Sequence, residues 1–560
     1  MVINTKIPSR CGPSLVAAAV LVALCTPVLA QTIKDAYGEF EGGPLFIPNA
    51  RETFGPGLPS GFGAPSLKLP TEYAGASVGL SFKGVSQYDL RNLLGGSFIP
   101  PDTNGAIGAS QYMITTNGVY GIYNKTTGAA QLVTAANFWT AAGGGGQNGD
   151  ARILFDKPSQ RWVALQFGTS VADIQIAVSN TSDATGGWKS TKFTGFAGGT
   201  ADYPTLAIDS QAVYIGTNNF NSASAYSGTT LNVIARSDLL GAGAPSTASL
   251  KQFVTPYSSV VGAVNYDSGY AIQGVNSTGP VGGRVLAAAG FANDSLRYNI
   301  SNPGTAGATQ GSNTLLGLAN YGASQPGRQP DGTRNIDTFD ERIGSSVWEK
   351  NGKIYAVYNA TAVGKSNTEV RWMVLNATTN AVIQQGTISD PKYDYFQGSL
   401  SVNDSGQVVI GYNRSGPNAV DGNVTLMART YNPDASGALL QTNEISLKVS
   451  PISDYHNGSA QGAAAVGRQR WGDYSSVTVD PSDPQSFWVV GQYAEVWNNA
   501  AGCGVANPAI AGCTLSGGSS WGTWVSQINV AAVPEVSTYA MMVFGLLAMG
   551  ALSRRRSTKF

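Results

Sequence analysis

RWGDYSSVTVDPSDPQSFWVVGQY, Arg470 to Tyr493, is the stretch whose plan recurs along most of the chain. A lead-in with an acidic residue precedes a short alternating run ending on Val479. A polar Asp/Pro/Ser turn follows, then an apolar run through Phe487 to Val490. Alternation, turn chemistry and a β-branched or aromatic run read as a β-hairpin. One hairpin cannot bury its own faces, but stacked copies can.

Working outward, the same template fits GAIGASQYMITTNG from Gly105, DARILFDKPSQRWVALQF from Asp150 and YPTLAIDSQAVYIGTNNF from Tyr203. It also fits VGAVNYDSGYAIQGV from Val261, RIGSSVWEKNGKIYAVYN from Arg342 and QGSLSVNDSGQVVIGYN from Gln397. One turn residue from each of these seven copies (Ala109, Lys157, Ser210, Ser268, Asn351, Ser405 and Ser482) gives intervals of 48, 53, 58, 83, 54 and 77 residues. A four-stranded propeller blade needs about 40–50 residues, so most intervals fit one blade, and the two long ones carry insertions. A second hairpin follows several copies, as in YGIYNKTTGAAQLV from Tyr120 and RWMVLNATTNAVIQQ from Arg371. The predicted fold is an all-β propeller of seven blades, with six or eight open. A β-sandwich, which shows turn signals at similar spacing, is the alternative.

Seventy glycines and 12% charged residues describe a turn-rich, weakly charged chain of zero formal net charge. Such a composition offers no basic stripe for nucleic acid and no acidic tail for a basic partner. Lys6 and Arg10 precede an apolar stretch, Leu15 to Leu24, and Val28-Leu29-Ala30 closes it. This pattern reads as a signal peptide cut by signal peptidase between Ala30 and Gln31. The expected organisation is a signal peptide over 1–30, an extended Gly/Pro-rich lead-in over 31–76, the propeller over 77–531 and a sorting segment over 532–560. Within it, Ser77 to Leu90 is a candidate strand for closing the last blade beside Trp524 to Val530, and 299–335 reads as a long irregular surface loop. The mature chain would keep Cys503 and Cys513, with nine residues of a Gly/Ala/Pro loop between them. In an exported protein such a pair reads as a disulfide, with metal binding the alternative.

At the C-terminus Pro534-Glu535 is followed by an apolar run, Tyr539 to Leu552, and by Arg554-Arg555-Arg556. This order resembles the PEP-CTERM sorting signal of Gram-negative bacteria, with Val536 where the motif has its second proline. The resemblance implies a single transmembrane helix, processing by an exosortase-like enzyme, and a place in the cell envelope or the extracellular matrix. Roughly 17 apolar-rich residues are near the lower limit for spanning a bilayer.

PPDTNGAIG from Pro100, DARILFDKPSQRWVALQF, IAVSNTSDATGGW from Ile176, DYPTLAID from Asp202 and WGDYSSVTVDP together resemble secreted bacterial surface proteins with sialidase-like or BNR-like repeats. Ser182 to Trp188, SDATGGW, resembles a degenerate Asp-box, which implies an aspartate bonded to turn amides and a tryptophan packed between strands. The resemblance to sialidases also implies an arginine cluster and a tyrosine, for which Arg152, Arg342 and Tyr203 are the right residue types.

The chain has one histidine, His456, so Cys/His zinc sites are excluded and a Ser-His-Asp triad would have to use that residue. Acidic residues recur at the start of the copies: Asp102, Asp150, Asp202, Asp340 and Asp473. If each copy begins with the innermost strand, these carboxylates gather at one mouth of the channel. There they could bind Ca2+ through oxygen ligands, serve as an acid pair for glycoside hydrolysis, or simply cap the turn leading into each strand. Trp139, Trp497 and Trp521 could stack on sugar rings or fill the core between blades. The expected function is a non-catalytic binding or structural module associated with extracellular polysaccharide; the alternative is a glycan-active enzyme, a glycosidase, sialidase-like protein or lyase.

Overall fold

The computed structural model describes residues 75–257, 269–289, 294–330, 332, 334–455, 467–497 and 519–532. The signal peptide, the lead-in up to residue 74, His456, Cys503, Cys513 and the sorting segment from residue 533 lie outside the described residues. Among the described residues no helix is long and apolar enough to cross a membrane.

β1 (Ser77–Ser86) is followed by a run of antiparallel meanders. The first is β2 (Asn104–Ile107), β3 (Gln111–Thr115), β4 (Val119–Asn124) and β5 (Ala130–Thr134). The second is β6 (Gln147–Asp156), β7 (Arg161–Gly168), β8 (Asp173–Ser179) and β9 (Trp188–Thr194). The third holds β10 (Gly199–Asp202) and β11 (Ala207–Ile208), both on β12 (Ala212–Asn221), then β13 (Tyr226–Ala235) and β14 (Lys251–Pro256).

Next comes a nine-stranded sheet in which two meanders are joined by parallel pairing at their inner strands. One is β15 (Tyr270–Asn276), β16 (Arg284–Ala288) and β17 (Ser295–Ser301), with β18 (Thr309–Gln310) and β19 (Thr314–Leu315) on β17. After β20 (Arg334–Ile336) comes the other: β21 (Val347–Lys350), β22 (Lys353–Thr361), β23 (Thr368–Asn376) and β24 (Val382–Ile388). A further meander is β25 (Asp394–Val402), β26 (Val408–Ser415), β27 (Thr425–Pro433) and β28 (Leu439–Val449). After β29 (Gly467–Gln469), the last is β30 (Ser476–Val479), β31 (Ser486–Trp497) and β32 (Ser519–Asn529), with β1 as its outer strand.

Each meander packs on the next through a shared apolar cluster. Met113, Trp139, Trp162 and Trp188 join the first to the second. Val163, Ile176, Val213 and Ile234 join the second to the third. Val409, Leu426, Val477 and Val489 join the penultimate to the last. The circle returns to its start through Tyr112, Trp488, Trp521 and Val525, with Val85 of β1 among them. A closed circle of antiparallel meanders is a β-propeller, and most strands are buried on both faces because a neighbour covers each. Fully burying one such aliphatic side chain is worth about 1.5–3 kcal/mol, so the ring is held chiefly by these interfaces.

β1 pairs antiparallel with β32, from Ser77 opposite Asn529 to Ser86 opposite Gly522, so the N-terminal strand completes the last blade as its sequence predicts. The degenerate Asp-box closes the β8–β9 turn: Asp183 Oδ1 accepts from Thr185 N at 2.9 Å, and Trp188 packs against Phe138.

The fourth copy, read as a hairpin turning at Ser268, has its first arm and turn outside the described residues, while Tyr270 to Asn276 pairs with β16. One expectation is corrected in part. Residues 299–335 are exposed at many positions but not throughout: Tyr321 and Gln329 are buried, and β20 pairs parallel with β29 far along the chain. This strap continues to Arg342, and around it Trp471 packs on Phe396 and Tyr455.

Candidate functional site

Several inner strands begin with the same backbone irregularity. Asp150 in β6, Ala271 in β15 and Gln397 in β25 sit at bulges with φ of 56°, 49° and 54°, and Asp102 and Tyr203 adopt 49° and 53° just ahead of β2 and β11. Left-handed backbone disfavours residues with a Cβ, and a bulge re-aims the side chain. Here it turns acidic and aromatic groups across the channel mouth.

An asparagine at the end of a second strand holds the bulge of the next sheet. Asn117 Oδ1 accepts from Asp150 N at 2.8 Å, Asn218 Oδ1 from Ala271 N at 2.8 Å, and Asn359 Oδ1 from Gly398 N at 3.4 Å. Sequence reasoning missed these latches, although TTNG, TNNF and VYNA end equivalent hairpin strands on Asn. Asn117 also donates to Asp102 Oδ2 at 2.6 Å.

Of the five predicted carboxylates, the structure brings Asp102, Asp150 and Asp473 together. Asp473 N donates to Asp102 Oδ1 at 2.8 Å, and Tyr474 OH donates to Asp150 Oδ2 at 3.0 Å. Burial pushes all three carboxyls up, Asp150 and Asp473 well above the ordinary carboxylate range; their mutual charge adds to the shift at those two, and Arg470 opposes it at Asp102 and Asp473. Asp202 is exposed, close enough to raise Asp102 and Asp150 further. Asp340 is taken by Arg342, whose Nε and Nη2 reach its two oxygens at 2.7 and 2.8 Å. Among the described residues no group of three or more His, Cys, Asp or Glu side chains could hold a metal ion. The Asp102, Asp150 and Asp340 oxygens accept from Asn117, the Asp473 amide, Tyr474 and Arg342.

Arg152, Arg342 and Tyr203 do converge, but by stacking. The Arg342 guanidinium lies 4.2 Å and that of Arg152 5.3 Å from the Tyr203 ring centre, and Arg152 stacks at 3.3 Å on Tyr474. Arg152 Nε donates to Pro204 O at 2.6 Å. Burial pushes the Tyr203 hydroxyl up to about 12 against the pull of the two arginines. Trp139 and Trp521 are fully buried, with Nε1 bonded to Gln166 Oε1 and Phe98 O, so both serve the core rather than a sugar face. The side chain of Trp497 lies outside the described residues.

Beside this cluster lies a small cleft. The strap contributes Asp337, Phe339 and Arg342; β22 contributes Tyr358 and Asn359; Gln397 and Asp473 complete the wall. Gln397 is fixed by Gly472 O and by Trp471 Nε1 at 3.1 Å, and Asn359 Nδ2 donates to Thr338 O at 3.0 Å. The wall offers carboxyl, guanidinium, amide and aromatic groups together, the mixture that meets a polyhydroxylated ring.

No protein-family model and no curated protein matches the sequence. Solved structures align over much of it at low similarity. A thermostable family-43 glycoside hydrolase is 9% identical over 69% of this chain and 94% of its own, with a TM-score of 0.29. A protein of unknown function from Dyadobacter fermentans is 8% identical over 77% and 94%, with a TM-score of 0.35. An exo-1,5-alpha-L-arabinanase from a bovine ruminal metagenomic library is 10% identical over 61% and 96%, with a TM-score of 0.30. The propeller assignment rests on the strand pairing and the closed circle of interfaces, not on these overlays.

Proposed function

We propose that the chain is a glycan-directed propeller that cleaves a glycosidic bond in the cavity between the strap and the inner strands. One observation carries the reading: two carboxyl groups, Asp337 and Asp473, line the same cleft. Glycoside hydrolysis needs such a pair, one to protonate the leaving oxygen and one to activate water or attack. Asp473, pushed up by burial and by Asp102, is the proton donor; Asp337, buried and bonded to Phe339 N at 3.0 Å, is its partner. Phe339 and Tyr358 supply ring faces for the sugar.

Release of reducing sugar from a panel of neutral and acidic polysaccharides tests this. Asp473→Asn is expected to lower turnover at least 100-fold while leaving glycan binding within a few-fold. Full turnover by that variant would remove the catalytic role. Binding without turnover in the unaltered protein would favour the second reading, a non-catalytic polysaccharide-binding module, which the stacked and hydrogen-bonded state of Arg152 and Arg342 supports.

We further infer a seven-bladed ring, counting the two meanders of the nine-stranded sheet separately. Export, anchoring through the C-terminal helix, exosortase-like processing and an envelope or matrix location in a Gram-negative bacterium belong to the same proposal; the terminal sequence patterns support them. N-terminal sequencing of the cell-surface form is expected to begin at Gln31; a chain still starting at Met1 would remove the export reading.

A further inference from the structure

Away from the channel, the fourth meander buries a positive charge among apolar residues. Arg297 in β17 stands directly opposite Leu286, and side chains opposite each other on antiparallel strands share a face. That face meets the next meander, where Leu286 packs with Val347, Ile354 and Met373. Arg297 is 1% exposed.

Its Nη1 donates to Val285 O at 3.1 Å and to Tyr298 O. Its Nε and Nη2 are buried and meet no acceptor among the described residues. These two donors are the parallel edge of the guanidinium, the edge with which Arg342 grips Asp340. Two unmet donors at one edge are far costlier in an interior than in water.

The nearby charges do not supply the acceptor. Glu349 Oε2 accepts from Arg284 Nη1 at 2.6 Å, and Arg284 places its remaining donors on Val281 O at 2.7 Å and Ala377 O at 2.9 Å. Two arginines thus share the Glu349 carboxylate. Burial and Arg284 pull the Arg297 guanidinium down to about 9, which still leaves it charged at neutral pH.

We propose that a small inorganic anion of chloride size binds at the Nε/Nη2 edge of Arg297, between the fourth and fifth meanders, and locks that interface. The anion supplies the missing acceptor and pairs with the guanidinium charge, which a water accepting the same two bonds would not do.

The test is thermal unfolding of the full chain in sodium chloride, sodium bromide and sodium gluconate at matched ionic strength. A ligand that binds only the folded state raises the midpoint with its concentration. Chloride and bromide are expected to raise it by roughly 2 °C or more over gluconate, and Arg297→Met is expected to abolish the difference. Equal midpoints in the three salts, or a halide effect surviving in Arg297→Met, would overturn the site. Should that variant not fold, bromide-soaked crystals of the unaltered protein decide: anomalous signal at Nε and Nη2 supports the proposal, and its absence there refutes it.

Discussion

Asp102, Asp150 and Asp473 lie where lone carboxylates are costly, beside one another and largely out of water. Their folded-state pKa values are raised above the unfolded value of about 3.9, so the sign of the linkage follows directly. Whatever stability these groups contribute is fully present below pH about 4 and is lost as pH rises through their raised values. Replacing Asp150 with Asn removes one titrating group yet keeps an oxygen for the Tyr474 hydroxyl. Asp150→Asn is expected to be more stable than the unaltered chain at pH 7, because it no longer has to ionise in this buried, acidic setting. The two should converge toward pH 4. Parallel melting-temperature curves across that range would show that Asp150 does not titrate in the folded state. At this scale the sequence suggested that these carboxylates gather, but not which groups each of them bonds. Asp102 and Asp473 are 371 positions apart, and no local pattern announces their contact.

At the scale of elements, hairpins were the legible part. Alternation and turn chemistry act over a few neighbouring residues, so β2–β3, β4–β5 and β23–β24 all fall where their sequences put them. The strap was illegible for the converse reason. Its Gly, Asn and Ser content reads as exposed loop, and its burial comes from partners elsewhere: Arg328 on Asp394 at 2.8 Å, Gln329 on Tyr455, and Arg334 on Asp454 at 2.8 Å. The left-handed bulges were equally hidden, since Asp, Tyr, Ala and Gln carry no glycine-like signal for positive φ. The latch asparagines stabilise them from a neighbouring sheet.

For the whole molecule, closure is the decisive event, and β1 performs it. Phe82 of β1 stacks on Tyr123 of the first meander at 4.9 Å and approaches Trp488 of the last at 6.4 Å, so one side chain spans the seam. Phe82→Ala is expected to lower the unfolding free energy by about 2–3 kcal/mol, somewhat less than for a fully buried phenylalanine because Phe82 is only half-buried. Urea unfolding followed by tryptophan fluorescence measures it. A loss below about 0.5 kcal/mol would mean that the seam is held without β1.

The amino-acid sequence by itself determined the repeating hairpins, the all-β class, the closing strand and the residue types available at the channel mouth, because these follow from periodicity and turn chemistry within short windows. Only the tertiary structure decided that the strap is partly buried, that Arg152 and Arg342 stack on tyrosines, and that Asp337 joins Asp473 on one cavity wall. Those arrangements arise when ring closure brings residues hundreds of positions apart into a shared, poorly hydrated space, where burial and neighbouring charge set the chemistry of each group.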